Sequence, residues 1–154
     1  ELQGKYVINA LGPWLTQLEG RPALFSGLTW AKAFNLVLTK QFESKFAIAF
    51  WSDENRNFFL APRRGASALG TEYLPCKGPE QGTVVTEQEI SGFLDAFNRC
   101  SQLKALTLSD VHSVEIGIIP IKAFNGKEPL FYGSSQVREK SGYIEILSTK
   151  YTSF

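Results

Sequence analysis

His112 is the only imidazole in the chain, and Cys76 and Cys100 are its only thiols. A zinc or iron–sulfur site takes about four such ligands, so the chain cannot assemble one from its own residues. A Ser–His–Asp or Cys–His arrangement would have to pass through His112. That residue stands near Asp110 in a strand-like pattern and reads as a half-exposed strand histidine. Paired carboxylates remain an open alternative because pairing is spatial, although the acids are scattered through polar loops and along helix faces. Neither GxxxxGKS/T nor GxGxxG occurs, so no glycine loop for phosphate is visible. The cysteines form no CxxC pair. Spacing alone does not decide a Cys76–Cys100 disulfide, and two idle thiols in a reducing compartment is the simpler reading.

The signals that are present belong to contact. Phe46, Phe50, Phe58 and Phe59 lie in a hairpin pattern that leads to Arg63-Arg64. Rings near guanidiniums on a sheet can stack nucleobases, but the glycine–aromatic spacing of RNA-binding sheets is missing. A core face followed by a solvated turn is the main reading. The formal net charge of +1 excludes bulk nucleic-acid or membrane binding by electrostatics alone. No apolar run approaches the ~20 residues of a membrane span, and no secretory signal is visible.

These residues must be positioned by a scaffold of ordinary composition. The 154 residues are 44% hydrophobic and 20% charged. They fit a single domain over 1–154, with 1–28 as an N-terminal extension and 133–154 as a C-terminal strand and arm. Ile8, Leu11, Leu15 and Leu18 have helical spacing that Gly12-Pro13 interrupts, giving a short or broken helix or a loop. The stretch 29–40 reads as helix or strand. Phe46, Ile48 and Phe50 share one face of a strand, and Phe58–Ala61 returns antiparallel, stopped by Pro62. Residues 70–85, rich in Gly and Pro, read as the longest loop. Thr86 and Glu89 form a capping box ahead of Ile90, Phe93, Leu94, Phe97, Cys100 and Leu103, which predicts an amphipathic helix over about 87–104. Strands follow over 111–121, with Val114, Ile116 and Ile118 on one face, then over 130–132 after the Asn125-Gly126 turn, and over 142–147. The expected class is α+β: an antiparallel sheet of hairpin plus C-terminal strands, with one main amphipathic helix.

One stretch carries a family resemblance. Leu18-Glu19-Gly20-Arg21-Pro22-Ala23-Leu24-Phe25-Ser26-Gly27-Leu28-Thr29 resembles the opening of photosystem I reaction-centre subunit II, an extrinsic subunit of a type-I reaction centre. Lys45-Phe46-Ala47-Ile48 resembles that family's next strand, and the likeness runs through Ser52 and Phe59 to Pro62 and Gly65-Ala66. Looser matches follow at Arg99-Cys100 and Phe124-Asn125-Gly126-Lys127-Glu128. The likeness covers about 18–132 and is dense only over 45–66. The loop 70–85 is longer than in the family. Gly133-Ser134-Ser135-Gln136 replaces a lysine-bearing docking stretch, and the family's C-terminal arm has no counterpart. The chain therefore looks like a divergent member.

The resemblance implies a non-catalytic scaffold at the stromal or cytoplasmic face of a photosynthetic thylakoid-type membrane. It would bind no cofactor itself, with iron–sulfur clusters on a partner. Its partners would be reaction-centre core polypeptides, a two-cluster iron–sulfur subunit and soluble ferredoxin. It would bind no nucleic acid and touch the membrane only through the complex. Ferredoxins are acidic, so the expected docking residues are basic ones near the matching strands: Arg63, Arg64, Arg99, Lys122, Lys127 and Arg138. A protein-binding α+β module in an unrelated assembly is the alternative.

Overall fold

A computed structural model describes residues 4–21, 23–42, 44–53 and 56–148. Residues 1–3 of the expected extension, Pro22 of the expected turn, Glu54-Asn55 of the hairpin loop and 149–154 of the arm lie outside the described residues. In chain order the elements are β1 (Val7–Asn9), a 3-10 turn (Gly12–Gln17), β2 (Thr29–Leu38), β3 (Ile48–Trp51), β4 (Asn57–Arg63) and β5 (Ala66–Cys76). Next come α1 (Glu87–Cys100), a second 3-10 turn (Leu108–Asp110), β6 (Val111–Ile121), β7 (Ala123–Asn125), β8 (Glu128–Leu130), β9 (Gln136–Lys140) and β10 (Tyr143–Leu147). Strand neighbours follow the orders β3-β4-β5-β2-β6, β1-β10-β9 and β7-β8. The pairs β3–β4, β4–β5, β7–β8 and β9–β10 are antiparallel, whereas β1 lies parallel to β10. The chain is α+β with mainly antiparallel strands.

Two compact units divide the chain. The α1 unit comprises Ala33–Glu72 and Thr83–Gly117; the β10 unit comprises Glu1–Lys32, Tyr73–Gly82 and Ile118–Phe154.

In the α1 unit the ambiguous stretch after residue 29 resolves as strand, because burial alternates with period two. Phe34, Leu36 and Leu38 are buried while Ala33, Asn35 and Val37 are half-buried. α1 starts where its capping box places it: Thr86 Oγ1 accepts from the Glu89 N–H, and a Glu89 carboxylate oxygen accepts from the Thr86 N–H. Its buried stripe is Ile90, Phe93, Leu94 and Phe97. Phe93 meets Phe34 edge-on at 5.6 Å, and Phe97 meets Phe50 at 5.1 Å and Phe58 at 5.8 Å. The helix ends at Cys100 rather than 104. Ser101 turns extended, and the Asn98 side chain both donates to Leu106 O and accepts from its N–H, so Leu103 lies beyond the last turn.

Pro62 does not stop its strand. β3 pairs only as far as Ile48↔Leu60, so Pro62 has no β3 neighbour and its missing donor is tolerated. Arg64-Gly65 makes a tight turn, with Gly65 at φ +73°, into β5. β5 absorbs the first half of the expected 70–85 loop. Gly70 leaves room inside it for the Asn35 side chain: a Cβ there would stand 1.8 Å from Asn35 Oδ1, which would have to move. β6 also departs from its expected face, since Ile116 is exposed while Ile118 and Ile121 are buried.

Asp110 ties the end of β2 to the start of β6. Its carboxylate accepts from the Thr107 N–H at 2.9 Å and pairs with Lys40 at 2.5 Å, while its backbone oxygen accepts from the Thr39 N–H. Lys40 first, then the Thr107 amide, hold its pKa down at about 2. A carboxylate depressed in the folded state adds stability that is complete above its unfolded pKa of about 4 and is lost as pH falls towards 2. Asp110→Asn is therefore expected to lower the melting temperature by roughly 2–6 °C at pH 7. Most of that difference should be gone near pH 2, where the folded-state carboxyl is half protonated, and melting curves at the two pH values check it. An equal difference at both would show that the charge is irrelevant.

The β10 unit packs Leu15, Phe25, Trp30, Ile118 and Leu147, with Leu28, Cys76 and Tyr132 against them. The region expected to be a short or broken helix or a loop is β1 followed by a 3-10 turn that opens on Gly12-Pro13. Asn125-Gly126 begins the β7–β8 turn, with Gly126 at φ +60°. β8 stops at Leu130, and Phe131 leaves the strand to meet the Tyr73 ring at 5.4 Å. Of the segment 133–154, expected as a strand and arm, the described residues 133–148 hold two strands. β9 and β10 are joined through Ser141 and Gly142, both at positive φ, the pattern of a type I′ hairpin turn.

Candidate functional site

Two constellations stand out, one in each unit. In the β10 unit Asn9, Tyr143 and Glu145 are buried side by side at the ends of paired strands. Glu145 Oε2 accepts from the backbone N–H groups of Leu24 (2.7 Å) and Phe25 (2.9 Å). Its Oε1 accepts from the Tyr143 hydroxyl at 2.9 Å and the Asn9 amide at 3.4 Å. Asn9 also donates to Leu15 O at 2.6 Å, and its Oδ1 accepts from the Leu11 N–H. Burial pushes the Tyr143 phenol up, against the Asn9 hydrogen bond that favours its ionised form. Every oxygen of Glu145 is engaged, so the cluster builds rather than reacts. It fixes the exposed turn Ala10-Leu11-Gly12, where Gly12 sits at φ +60°, and the loop at Leu24-Phe25.

In the α1 unit a cleft of about 290 Å³ is lined by Trp51, Ser52, Asp53, Arg56, Phe58, Ala96, Arg99 and Cys100. The Arg56 guanidinium lies over the rings of Phe58 (4.6 Å) and Phe93 (5.2 Å) and pairs with Glu72. Its backbone N–H donates to Ser52 Oγ and its carbonyl accepts from the Ser52 N–H, which closes the hairpin turn. Burial raises the Cys100 pKa, and that makes the thiol a poor nucleophile.

The six basic residues expected to dock a partner are divided between the two units. Arg63, Arg64 and Arg99 belong to the α1 unit, and Lys122, Lys127 and Arg138 to the β10 unit. Arg63 makes a two-pronged pair with Glu115, and Arg64 is exposed on the following turn. Arg99, in the last turn of α1, reaches the cleft. Lys122 lies 5.9 Å from the Tyr132 ring, and Lys127 is on the β7–β8 turn. Arg138 donates to Leu24 O at 2.6 Å and stacks over Phe25 at 4.4 Å. His112 is exposed on β6, and both cysteines are unbridged, one in each unit. Among the described residues no group of three or more His, Cys, Asp or Glu could hold a metal ion, and no helix is long and apolar enough to cross a membrane.

The sequence reading passed over Asn9, Glu145 and Arg56. Asn9 had a usable signal: a polar residue closing the apolar run Tyr6-Val7-Ile8 just before Gly12-Pro13-Trp14. Arg56 had none, because it sits in a run that is polar throughout.

The class defined by these features is an α+β chain of two units, one an antiparallel hairpin series backed by a helix. Comparison with known proteins takes this further. No family model matches the chain. It is similar to the aerobic glycerol-3-phosphate dehydrogenase of Bacillus subtilis, 26% identical over 164 residues, covering 100% of this chain and 29% of that protein. The enzyme of the same name from Staphylococcus haemolyticus is 25% identical over 160 residues, with the same coverage. The fold matches the structure of the Bacillus halodurans glycerol-3-phosphate dehydrogenase complexed with FAD, at a TM-score of 0.69 and 24% identity, over 91% of this chain and 27% of that one. The chain thus spans less than a third of the length of the relatives it matches.

These findings correct the photosystem reading. The relatives are dehydrogenases over the chain's whole length, whereas the likeness to reaction-centre subunit II was dense only over a hairpin. The non-catalytic scaffold function, with its photosynthetic setting, gives way to relatives that are oxidoreductases. The cofactor expectation, none here and iron–sulfur clusters on a partner, gives way to a structural neighbour that carries FAD. Reaction-centre core polypeptides, a two-cluster iron–sulfur subunit and ferredoxin fall as partners, because the relatives are metabolic enzymes.

Proposed function

We propose that this chain is part of a flavin-dependent dehydrogenase acting on glycerol 3-phosphate or a closely similar polyol phosphate. The observation that carries the reading is the similarity to aerobic glycerol-3-phosphate dehydrogenases along the entire chain, joined to the fold match with an FAD-bound enzyme. The β10 unit fits part of such a cofactor. β1 runs parallel to β10, and dinucleotide ligands settle beyond the carboxyl ends of parallel strands. There the Ala10-Leu11-Gly12 backbone is presented at the surface, pinned from below by Asn9 and shaped by the positive φ of Gly12. These residues would hold a polar edge of the flavin. The diphosphate does not fit the described residues. The sequence has no GxGxxG, and α1 opens on Glu87 and Glu89, whose charge opposes a phosphate at the helix N-terminus. That part of the cofactor would be held by other regions of a longer polypeptide. A bound flavin would supply the two-electron acceptor; this chain's own part is to present the turn and keep it rigid.

The test uses the full-length protein, purified without added flavin. FAD released on denaturation, and anaerobic bleaching of the bound flavin by glycerol 3-phosphate, are the expected results. A colourless protein that stays colourless with added FAD overturns the reading. Bound flavin that glycerol 3-phosphate does not bleach removes the substrate assignment.

A further inference from the structure

The cleft at the end of the β3–β4 hairpin belongs to the α1 unit, whereas the turn proposed to meet the flavin belongs to the β10 unit, and its lining is specific enough to name a ligand class. Phe58, Ala96 and Cys100 form the apolar part of its lining, with the Phe58 ring itself buried. One wall is Trp51, whose indole is 65% exposed although it ends a paired strand. Two guanidiniums, Arg56 and Arg99, share the lining with a single carboxylate, Asp53. Arg56 is held rigid between the Phe58 and Phe93 rings and Glu72. A guanidinium has five N–H donors, and the Glu72 contact uses Nη2. The volume of about 290 Å³ lies at the small end of the ~300–1,000 Å³ range of ligand pockets, which suits a small ligand. A bare phosphate would gain nothing from the indole wall.

The geometry points to a binding site for a small planar aromatic carboxylate, its ring against Trp51, its carboxylate on Arg99 and Arg56. Aromatic rings stack offset against an indole, and a carboxylate matches the guanidinium fork. Ser52 adds a hydroxyl at the rim. Asp53 opposes the anion and limits its affinity.

Calorimetric titration of the full-length protein with benzoate tests this, with benzamide and inorganic phosphate as comparison probes. Benzoate is expected to bind saturably, and benzamide about tenfold more weakly, for want of the charge-assisted bond. Arg99→Gln and Trp51→Ala are each expected to weaken benzoate about tenfold, and Asp53→Asn to tighten it. All three side chains are exposed, so the fold should survive, and unchanged melting curves would verify that. Arg64→Gln, on the β4–β5 turn, should leave binding unchanged. No saturation, or benzoate bound equally well by the Arg99 and Trp51 variants, overturns the proposal. So does phosphate binding as tightly as benzoate, which would reveal a cationic rim with no aromatic selectivity.

Discussion

Replacing Glu145 with alanine is expected to destabilise the β10 unit by about 3–5 kcal/mol, the range found when one partner of a buried charged network is removed. The side chain is wholly buried and accepts four hydrogen bonds, two from the backbone at Leu24 and Phe25. Alanine leaves those amides, the Tyr143 hydroxyl and one Asn9 donor facing a cavity that water cannot easily fill. Glu145→Gln keeps one acceptor oxygen and should lose less, about 1–3 kcal/mol. Hydrogen exchange gives the local readout: the Leu24 and Phe25 amides should lose protection in the alanine variant first. Protection that stays at the wild-type level would mean the carboxylate is dispensable.

The second large effect is expected at Phe97. Its ring has no exposed surface and meets Phe50 and Phe58 at edge-on angles. Phe97→Ala removes the main contact of α1 with the β3–β4 hairpin and is expected to cost about 3–5 kcal/mol. Phe97→Leu should recover more than half of that, since it refills most of the volume. Urea unfolding at unchanged slope measures both. A loss under about 1 kcal/mol for the alanine variant would show that the helix is held elsewhere.

The parts of the fold that were legible in the sequence are those whose determinants are local. Thr86 and Glu89 announce the start of α1 three residues apart, and the buried stripe repeats within the helix itself. The β3–β4 hairpin is likewise a matter of neighbours. β10 was read as a strand, but its facing was hidden. Ile144 and Ile146 look like its core face, whereas Tyr143, Glu145 and Leu147 are the buried ones. Burying a glutamate needs donors, and those come from residues 24, 25 and 9, far away in sequence. Pro62 was misread for a related reason. Whether a proline stops a strand depends on which neighbour is present, and that is a tertiary fact.

The site was less legible than the fold. Arg56 lies in a polar turn that reads as solvated, yet its planar cation finds two phenyl faces. The expected docking residues were chosen as basic residues near matching strands, and their actual partners, such as Glu115 for Arg63 and Leu24 O for Arg138, were invisible at that level. The mistaken family has a physical origin as well. A hairpin with aromatic faces, a proline and a turn glycine satisfies requirements that any antiparallel pair imposes, so likeness over 45–66 reports local geometry and not descent.

The parallel pairing of β1 with β10 has a consequence for synthesis. Asn9 and Glu145, which meet in the buried network, are 136 positions apart. At roughly 5–20 residues per second, a ribosome takes about 7–27 s to make that stretch. Meanwhile the segments of the α1 unit, Ala33–Glu72 and Thr83–Gly117, are already complete. β1, with Tyr6 and Ile8 exposed even in the finished fold, therefore waits unpaired beside a nascent chain that has begun to fold without it. Slow codons between 10 and 142 would lengthen the interval in which β1 is open to a chaperone or to another β1.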